Sequence, residues 1–386
     1  MDREISNFSF PTRILFGAGA LSELSAEIGR LGVKRPLLVT DKGIVESSLA
    51  DRAIAAAKPS TVVIYDGVSP NPTEENVFDG LARYRGERCD AIIGLGGGSS
   101  IDAAKAIRLG ATHPPPLEQY DDQLNGAEKI GPNLPPMIAI ATTSGTGSEV
   151  GRSTVIILKS TDRKTVIFSP YLIPNSAIAD PELTMGLPMK LTAGTGLDAL
   201  AHNIEAYLSK GYHPMCDAIA LEGVRLCIRH LPAAVRNGKN LEARTGMMAS
   251  SMMGAVAFQK GLGAVHSLSH PLSSVAGLHH GTTNGILLAH VMEFNRSTCE
   301  ERLRDLALAM NLKIWDSPVP EAASAAIQRV QGLLTEIGSP YRLSTLGISR
   351  EMIPMLAKKA MEDACHRLNP RPCSEADMVE LYMRAL

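Results

Sequence analysis

Ala91-Ile92-Ile93-Gly94-Leu95-Gly96-Gly97-Gly98-Ser99-Ser100-Ile101-Asp102 is the stretch that sets the fold of the first half of this chain. Ala91–Leu95 is apolar and uncharged, the pattern of a strand covered on both faces of a sheet. Glycines interrupt it, and Ile101–Leu109 then takes helical spacing. Strand, glycine turn and helix in that order belong to a βαβ unit, which implies a parallel sheet. A helix that starts behind such a turn offers free backbone N–H groups and its dipole to an anion. Ser99 or Ser100 could cap the helix and donate to a phosphate oxygen. A tight structural turn is the competing reading. Gly94-x-Gly96-x-x-Ser99 lacks the third glycine of the dinucleotide fingerprint and does not lie in the first βα unit.

On both sides the alternation continues. Pro36–Thr40, Thr61–Asp66 and Met137–Thr142 are further short apolar runs, and Ala20–Leu31 is helix-like, with Leu21, Leu24 and Ile28 on one face. Thr154–Leu158 and Thr165–Phe168 predict a strand pair joined by a charged turn. Thr112–Pro136, with Pro114-Pro115-Pro116 near one end and Pro135-Pro136 at the other, predicts a long surface loop. Asp41 follows the first of these runs. A carboxylate there would bond both ribose hydroxyls of NAD and repel the 2′-phosphate of NADP, although Asp after a strand is often only a turn residue. Thr142-Thr143-Ser144-Gly145-Thr146-Gly147-Ser148-Glu149 is a second polar loop at a strand end, where α/β sheets bind ligands.

From about Leu187 the β-branched runs give way to Ala-, Leu- and Met-rich helical segments: Ala193–Leu208, Met215–His230, Leu241–Phe258 and Glu321–Ile337. The expected organisation is an α/β domain over residues 1–186, with a Rossmann-like parallel sheet, and an all-α domain over residues 187–386. Composition narrows the function. The 386 residues carry 38 Lys and Arg against 40 Asp and Glu, a net charge of −2, so the basic surplus of a nucleic-acid binder is missing. No run of 18 apolar residues exists, and the N-terminus is charged, so neither a membrane span nor a secretory leader is expected. Six scattered cysteines without a C-x-x-C pair argue against a disulfide framework or a thiolate zinc site and for a reducing cytoplasm.

Gly261–Met292 contains no Asp, Glu, Lys or Arg, yet it holds five of the ten histidines: His266, His270, His279, His280 and His290. Asp198 and His202 are four apart in a helical segment, and His266 and His270 repeat the spacing, which places each pair on one helix face. One carboxylate and three imidazoles could hold a divalent ion with a position left for substrate. Nitrogen and oxygen donors suit Fe(II), Zn(II), Co or Ni without choosing among them. Satisfied core histidines are the bland alternative. A nicotinamide that exchanges a hydride and an ion that polarises a C–O bond would together make a dehydrogenase. The cleft between the two domains is where they would meet.

At these residues the sequence resembles the iron-containing (group III) alcohol dehydrogenases. The matching pieces are Gly96–Asp102, Thr142–Glu149, Gly196-Leu197-Asp198-Ala199-Leu200-Ala201-His202, Gly263–Leu272, His280-Gly281 and Asn369-Pro370-Arg371. The resemblance implies the dehydroquinate synthase-like architecture of that family: a nucleotide-binding α/β domain, a helical domain, a metal between them, and usually a homodimer. It implies metal ligands at Asp198, His202, His266 and His280, and at His270 a histidine that relays the alcohol proton. Cofactor contacts fall at Asp41, Asn71, Gly97, Gly98, Ser99, Asp102, Thr142, Thr143, Lys164 and Leu183. His279 stands where many members have Pro, so a shift of one residue would make it the ligand; Gly281 and the fourteen-residue step from His266 favour His280. Phe258–Gly263 and Gly277–Thr282 look similar to 4-hydroxybutyrate dehydrogenases. For such a substrate Lys260 and Arg152 could pair with the carboxylate, against a surface or salt-bridge role for each. The expected activity is therefore NAD-dependent interconversion of a small primary alcohol and its aldehyde, leaning to an ω-hydroxy acid. A general short-chain alcohol or diol (lactaldehyde-type) dehydrogenase is the alternative. A maleylacetate reductase should not need the metal ligands, and a dehydroquinate synthase-like lyase would need a Lys/Arg cluster that Gly261–Met292 lacks. A catalytically silent nucleotide binder is opposed by the intact ligand positions.

Overall fold

The structure is a computed structural model that describes residues 8–10, 13–160 and 163–386. Its contacts divide the chain into two compact units. One lies within Phe10–Thr143 and Gly147–Leu187; the other comprises Pro188–Leu386 with Ser144–Thr146 and residues 8–9.

The first unit contains eight strands: β1 (Arg13–Phe16), β2 (Pro36–Val39), β3 (Val63–Tyr65), β4 (Ala91–Gly96), β5 (Met137–Ala141), β6 (Ser153–Leu158), β7 (Arg163–Phe168) and β8 (Ser176–Ala179). Six form an all-parallel sheet in the order β1-β8-β5-β4-β2-β3, and β6 and β7 make a separate antiparallel pair. Helices α1 (Leu24–Arg30), α2 (Lys42–Glu46), α3 (Leu49–Ala56), α4 (Glu74–Gly86) and α5 (Gly98–Thr112) connect them. The apolar runs become β2 to β5, each of which buries aliphatic side chains: Leu24, Ile28 and Ala53 pack with Leu38, Ile93, Ile140 and Ile178. Strands β1 and β8 are not marked by the sequence pattern. Ser176-Ala177-Ile178-Ala179 carries one β-branched residue, and its extended form comes from pairing with β1 and β5. Thr112–Pro136 is not the plain surface loop expected. It folds into three 3₁₀ turns that bury Leu117, Tyr120 and Ile130.

The chain leaves β2 outward to β3, then returns to place β4 on the other side of β2. That reversal is a topological switch point, and the carboxyl ends of β2 and β4 border its crevice. Beneath it α5 is fixed by buried charges. Lys105 Nζ donates to Ser148 Oγ (3.0 Å) and to the carbonyls of Gly151 (2.8 Å) and Ser153 (2.9 Å). Asp102 accepts from Ser148 Oγ (2.6 Å) and Val155 N (2.9 Å). Burial draws Lys105 down to about 8. It pushes Glu149 up to about 7, and Glu149 Oε1 has no hydrogen-bond partner among the described residues.

The second unit is helical: α6 (Met189–Leu208), α7 (Pro214–Arg236), α8 (Leu241–Ala257), α9 (Ala264–Ala276), α10 (His280–Ala309), α11 (Val319–Glu336), α12 (Ile353–Glu362) and α13 (Glu375–Ala385). α6 packs against α7, α8 and α10 and is buried on nearly all sides, so it carries Asp198, His202, Asn203 and Glu205 into the core among its apolar residues. α10 kinks at Cys299, whose φ of −147° is not helical. Among the described residues no helix is long and apolar enough to cross a membrane.

Glu149 gives the first unit a pH signature. A carboxyl raised from 4.5 to about 7 binds its proton more tightly folded than unfolded. Its contribution is complete below pH 4.5 and is lost as pH rises through 7, a change of roughly 3 kcal/mol. Glu149→Gln should flatten that slope: its unfolding free energy in urea, taken relative to wild type at the same pH, should be larger at pH 8 than at pH 5.

Candidate active site

The segments read as nucleotide-binding lie at the carboxyl ends of neighbouring strands. Asp41 follows β2, Asn71 follows β3, Gly97 follows β4, Thr142 and Thr143 follow β5, and Leu183 lies in the turn after β8. Asp41 Oδ1 accepts from Ile44 N (3.1 Å), which caps α2, and Oδ2 accepts from Ser100 Oγ (3.0 Å), so the ends of β2 and β4 are tied together. Ser99 Oγ donates to the Pro70 carbonyl (2.5 Å), beside Asn71. Neither serine caps α5, contrary to expectation. Its N-cap is Gly97, and among the described residues no side-chain cap is made there. Backbone donors there remain uncapped by the protein's side chains, which suits an anion better than a capped helix would. Gly96, at φ +144°, has no room for a side chain, because a Cβ would lie 2.7 Å from Ser100 Oγ. Asp102 is committed to Ser148 and Val155, and Leu183 is a core side chain, so it could serve a cofactor only through its main chain. Lys164 sits on β7, opposite Ile157, and its charge acts on Asp102.

In the helical unit, Asp198 and His202 of α6 meet His266 of α9 and His280 of α10. Asp198 Oδ1 lies 3.9 Å from His202 Nε2, 4.0 Å from His266 Nε2 and 3.6 Å from His280 Nε2. His202 and His266 stack at 4.6 Å, and Thr146 Oγ1 reaches Asp198 Oδ2 at 3.5 Å. His280 is brought to the cluster and His279 is not: His279 is exposed and caps α10, its Nδ1 accepting from Thr282 N (3.3 Å). The close start of α10 depends on Gly281, where a Cβ would lie 2.1 Å from the Gly194 carbonyl oxygen.

Several groups that hold this cluster were not read from the sequence. Glu205 Oε2 pairs with His266 Nδ1 (2.5 Å), while Oε1 accepts from Val265 N (2.7 Å). Ser269 Oγ meets His280 Nδ1 at 3.0 Å. Asp363 Oδ2 pairs with His270 Nδ1 at 2.7 Å. Glu205 stands three residues beyond His202 on α6, the one signal that could have drawn it into the motif. Asp363 gives no such signal, since it lies 93 residues from His270. Asn369 Oδ1 accepts from Ala264 N (3.2 Å) and Asn295 Nδ2 (3.0 Å), which anchors the start of α9 and explains the Asn369-Pro370-Arg371 match.

The donor set fits a divalent ion. Asn284 Nδ2 donates to Asp198 Oδ1 (2.7 Å) and faces Nε2 of His280 (3.1 Å) and of His266 (3.4 Å). These lone pairs thus converge on a single electropositive group. Ligands about 2.0–2.2 Å from a tetrahedral ion stand roughly 3.3–3.6 Å apart, slightly closer than the carboxylate–imidazole separations here. Burial lowers His202 to about 4, which keeps it neutral and fit to ligate. Burial also pulls His266 down, but the Glu205 carboxylate more than offsets this, and the net shift is upward. Burial raises Asp363, yet His270 and the donors around it hold the carboxyl well below its usual range.

The two cations assigned to a substrate carboxylate fare differently. Lys260 is buried, and its Nζ bonds to Asp217 Oδ1 (2.6 Å) and the Tyr207 carbonyl (2.8 Å). Its charge is spent inside the helical unit, which is the salt-bridge role rather than an anchor for substrate. Arg152 lies in the α/β unit with its guanidinium 4.5 Å from the Phe168 ring centre.

A parallel sheet with a switch-point phosphate loop, and a nitrogen and oxygen donor cluster on the same chain, are the parts of a metal-dependent dehydrogenase. Comparison with known proteins specifies the kind. Residues 11–181 match the iron-containing alcohol dehydrogenase model, and residues 192–386 match the C-terminal model of the Fe-containing alcohol dehydrogenase family. The chain is 44% identical over 375 residues to 4-hydroxybutyrate dehydrogenase of Cupriavidus necator, covering 95% of this chain and 96% of that one. It is 38% identical to 1,3-propanediol dehydrogenase of Klebsiella pneumoniae over the whole of both chains. A crystal structure of 1,3-propanediol oxidoreductase superposes with a TM-score of 0.96 at 38% identity, covering 99% of this chain and 100% of that one. Sulfoacetaldehyde reductase from Bifidobacterium kashiwanohense, solved in complex with NAD+, gives 0.89 at 29% identity with 99% of each chain covered. This chain belongs to the iron-containing alcohol dehydrogenase family, and it is an oxidoreductase acting on alcohols.

If Glu205 sets the tautomer and basicity of His266, Glu205→Gln should weaken metal binding by about 10–100-fold. Competition with a chelator, followed by metal analysis, measures this; an unchanged affinity would leave Glu205 a packing residue.

Proposed function

We propose that this enzyme uses NAD(H) and Fe(II) to interconvert a short ω-hydroxy acid, of the 4-hydroxybutyrate kind, with its semialdehyde. The observation that carries this is the 44% identity to a 4-hydroxybutyrate dehydrogenase across 95% of the chain. In this reading residues 1–186 form the nucleotide domain and residues 187–386 the metal domain. Asp41, Asn71, Gly97, Gly98, Ser99, Asp102, Thr142, Thr143, Lys164 and Leu183 serve NAD. Asp198, His202, His266 and His280 hold the ion, for which Zn(II) is the nearest substitute. The family also supports a cytoplasmic homodimer, and β1, an edge strand with Ile14 and Phe16 exposed, offers a surface for self-association.

When bound, the ion would polarise the substrate C–O bond and the nicotinamide would take or supply the hydride. The chain's own part is to hold and discriminate. Glu205 and Ser269 engage Nδ1 of His266 and His280, which leaves each Nε2 for the ion. His270, oriented by Asp363, accepts the alcohol proton and passes it outward. Asp41 makes the ribose pocket acidic, which favours NAD over NADP. Arg152 remains the candidate partner for a substrate carboxylate, and Lys260 is withdrawn from that role.

A second reading, a general short-chain alcohol or diol dehydrogenase, is favoured by the full-length match to the propanediol enzymes. The two separate on NADH oxidation with succinic semialdehyde and with butyraldehyde, which lacks the carboxylate. For Fe(II)-loaded enzyme a kcat/KM advantage of about 100-fold for the acid, roughly 2.7 kcal/mol, supports the hydroxy-acid reading. Equal values overturn it. Arg152→Ala should erase most of that advantage by raising KM. In the same assay Asp41→Gly should raise NADPH use; an unchanged cofactor preference would remove Asp41 from the cofactor site.

A further inference from the structure

Beside the four-donor cluster lies a second group of ligating side chains. His270, Asp363 and Cys365 each present a donor atom within 4.8 Å of the other two. The cysteine spacing gives no hint of a thiolate site; the fold makes one by bringing α9 against the turn that follows α12. Asp363 holds the group together. Its Oδ2 pairs with His270 Nδ1 (2.7 Å), and its Oδ1 accepts from Ser267 Oγ (2.7 Å) and from Cys365 N (2.8 Å). His270 is steadied on its other side by stacking on His280 at 5.1 Å. The side chains of His270 and Asp363 are 18% and 17% exposed, so an ion from solvent can reach them. Cys365 is partly exposed and in no disulfide.

The chemistry of this group differs from that of its neighbour. Asp198, His202, His266 and His280 offer nitrogen and oxygen, whereas His270, Asp363 and Cys365 offer nitrogen, oxygen and sulfur. Sulfur draws thiophilic ions, Zn(II) foremost, and three protein ligands with a solvent position complete its tetrahedron. We propose that His270, Asp363 and Cys365 form a second metal site, one that takes Zn(II) or a similar thiophilic divalent ion and silences the enzyme when filled. Binding involves no change of oxidation state. The ion takes the place of the proton between His270 Nδ1 and Asp363 Oδ2, whose separation opens from 2.7 Å to about 3.3 Å. Cys365 ligates as thiolate and gives its proton to solvent, while the proton of His270 moves from Nδ1 to Nε2 by way of solvent, so the ligating imidazole stays neutral. His270 then serves as a ligand and no longer passes protons. That last consequence rests on the relay reading of His270; the binding of the ion does not.

Cobalt tests the site independently of activity. Holoenzyme with its first site filled is titrated anaerobically with Co(II). A second equivalent should bind and bring a thiolate-to-cobalt charge-transfer band, which the sulfur-free first site cannot produce. Cys365→Ala should lose the band and the second equivalent, yet keep its first metal and a kcat within about twofold of wild type. Zn(II) should inhibit wild type at least tenfold more tightly than Cys365→Ala. A stoichiometry of one, no sulfur band, or a band that survives Cys365→Ala overturns the site. A band and second equivalent in an enzyme that stays fully active supports the site, overturns its silencing effect and counts against His270 as the relay. His270→Gln checks that relay separately: slowed turnover with the first metal intact supports it.

Discussion

The helical unit depends on how closely α6 and α10 can cross. At Gly281 the backbone of α10 sits against the Gly194 carbonyl, and nothing larger than hydrogen fits between them. That approach puts Asp198 opposite His280 at 3.6 Å. Four polar groups gathered in a helical core would each cost desolvation if left apart. Here they are drawn to a common point and two of the imidazoles are steadied from behind by Glu205 and Ser269. The arrangement of the donors is thus a product of helix packing. A side chain added at the crossing would separate donors that no local adjustment could reunite.

The α/β unit solves a different problem. An anion site needs unpaired backbone donors, yet unpaired donors in a folded chain are costly. The parallel sheet resolves this by placing the first turn of α5 at a switch point, with its serines occupied elsewhere. Ser100 reaches across to Asp41 and Ser99 to Pro70, so both hydroxyls act as struts between strands. Below them Lys105, with all three of its hydrogen bonds made inside the unit, keeps α5 seated.

Much of this could be read in advance where periodicity and motif coincide. The strands β2 to β5, the β6–β7 pair and the long helices follow from their apolar patterns. Asp198 and His202 stood out by their i, i+4 spacing, and His266 and His280 because imidazoles gathered in a charge-free stretch. Strand β8 was hidden, because Ser-Ala-Ile-Ala becomes a strand only between its neighbours. Lys260 misled for a related reason. A lysine beside a histidine-rich segment looks available, and only the fold reveals Asp217 and the Tyr207 carbonyl waiting for it. Asp363 lay beyond reach altogether, and Asn369 was marked by resemblance without a role, since their partners are brought to them by tertiary packing and not by spacing.

The anchoring of α9 has a consequence for the order in which the protein matures. The N-terminal end of α9 is held by Asn369, its middle by Asp363 through Ser267 and His270, and Leu268 by the hydroxyl of Tyr382. All three anchors are encoded some 90 residues or more downstream of the helix they secure. On a ribosome, the histidines of α9 emerge long before the residues that fix them. The contacts that fix the α9 side of the donor cluster can therefore form only after the last helices of the chain have been made.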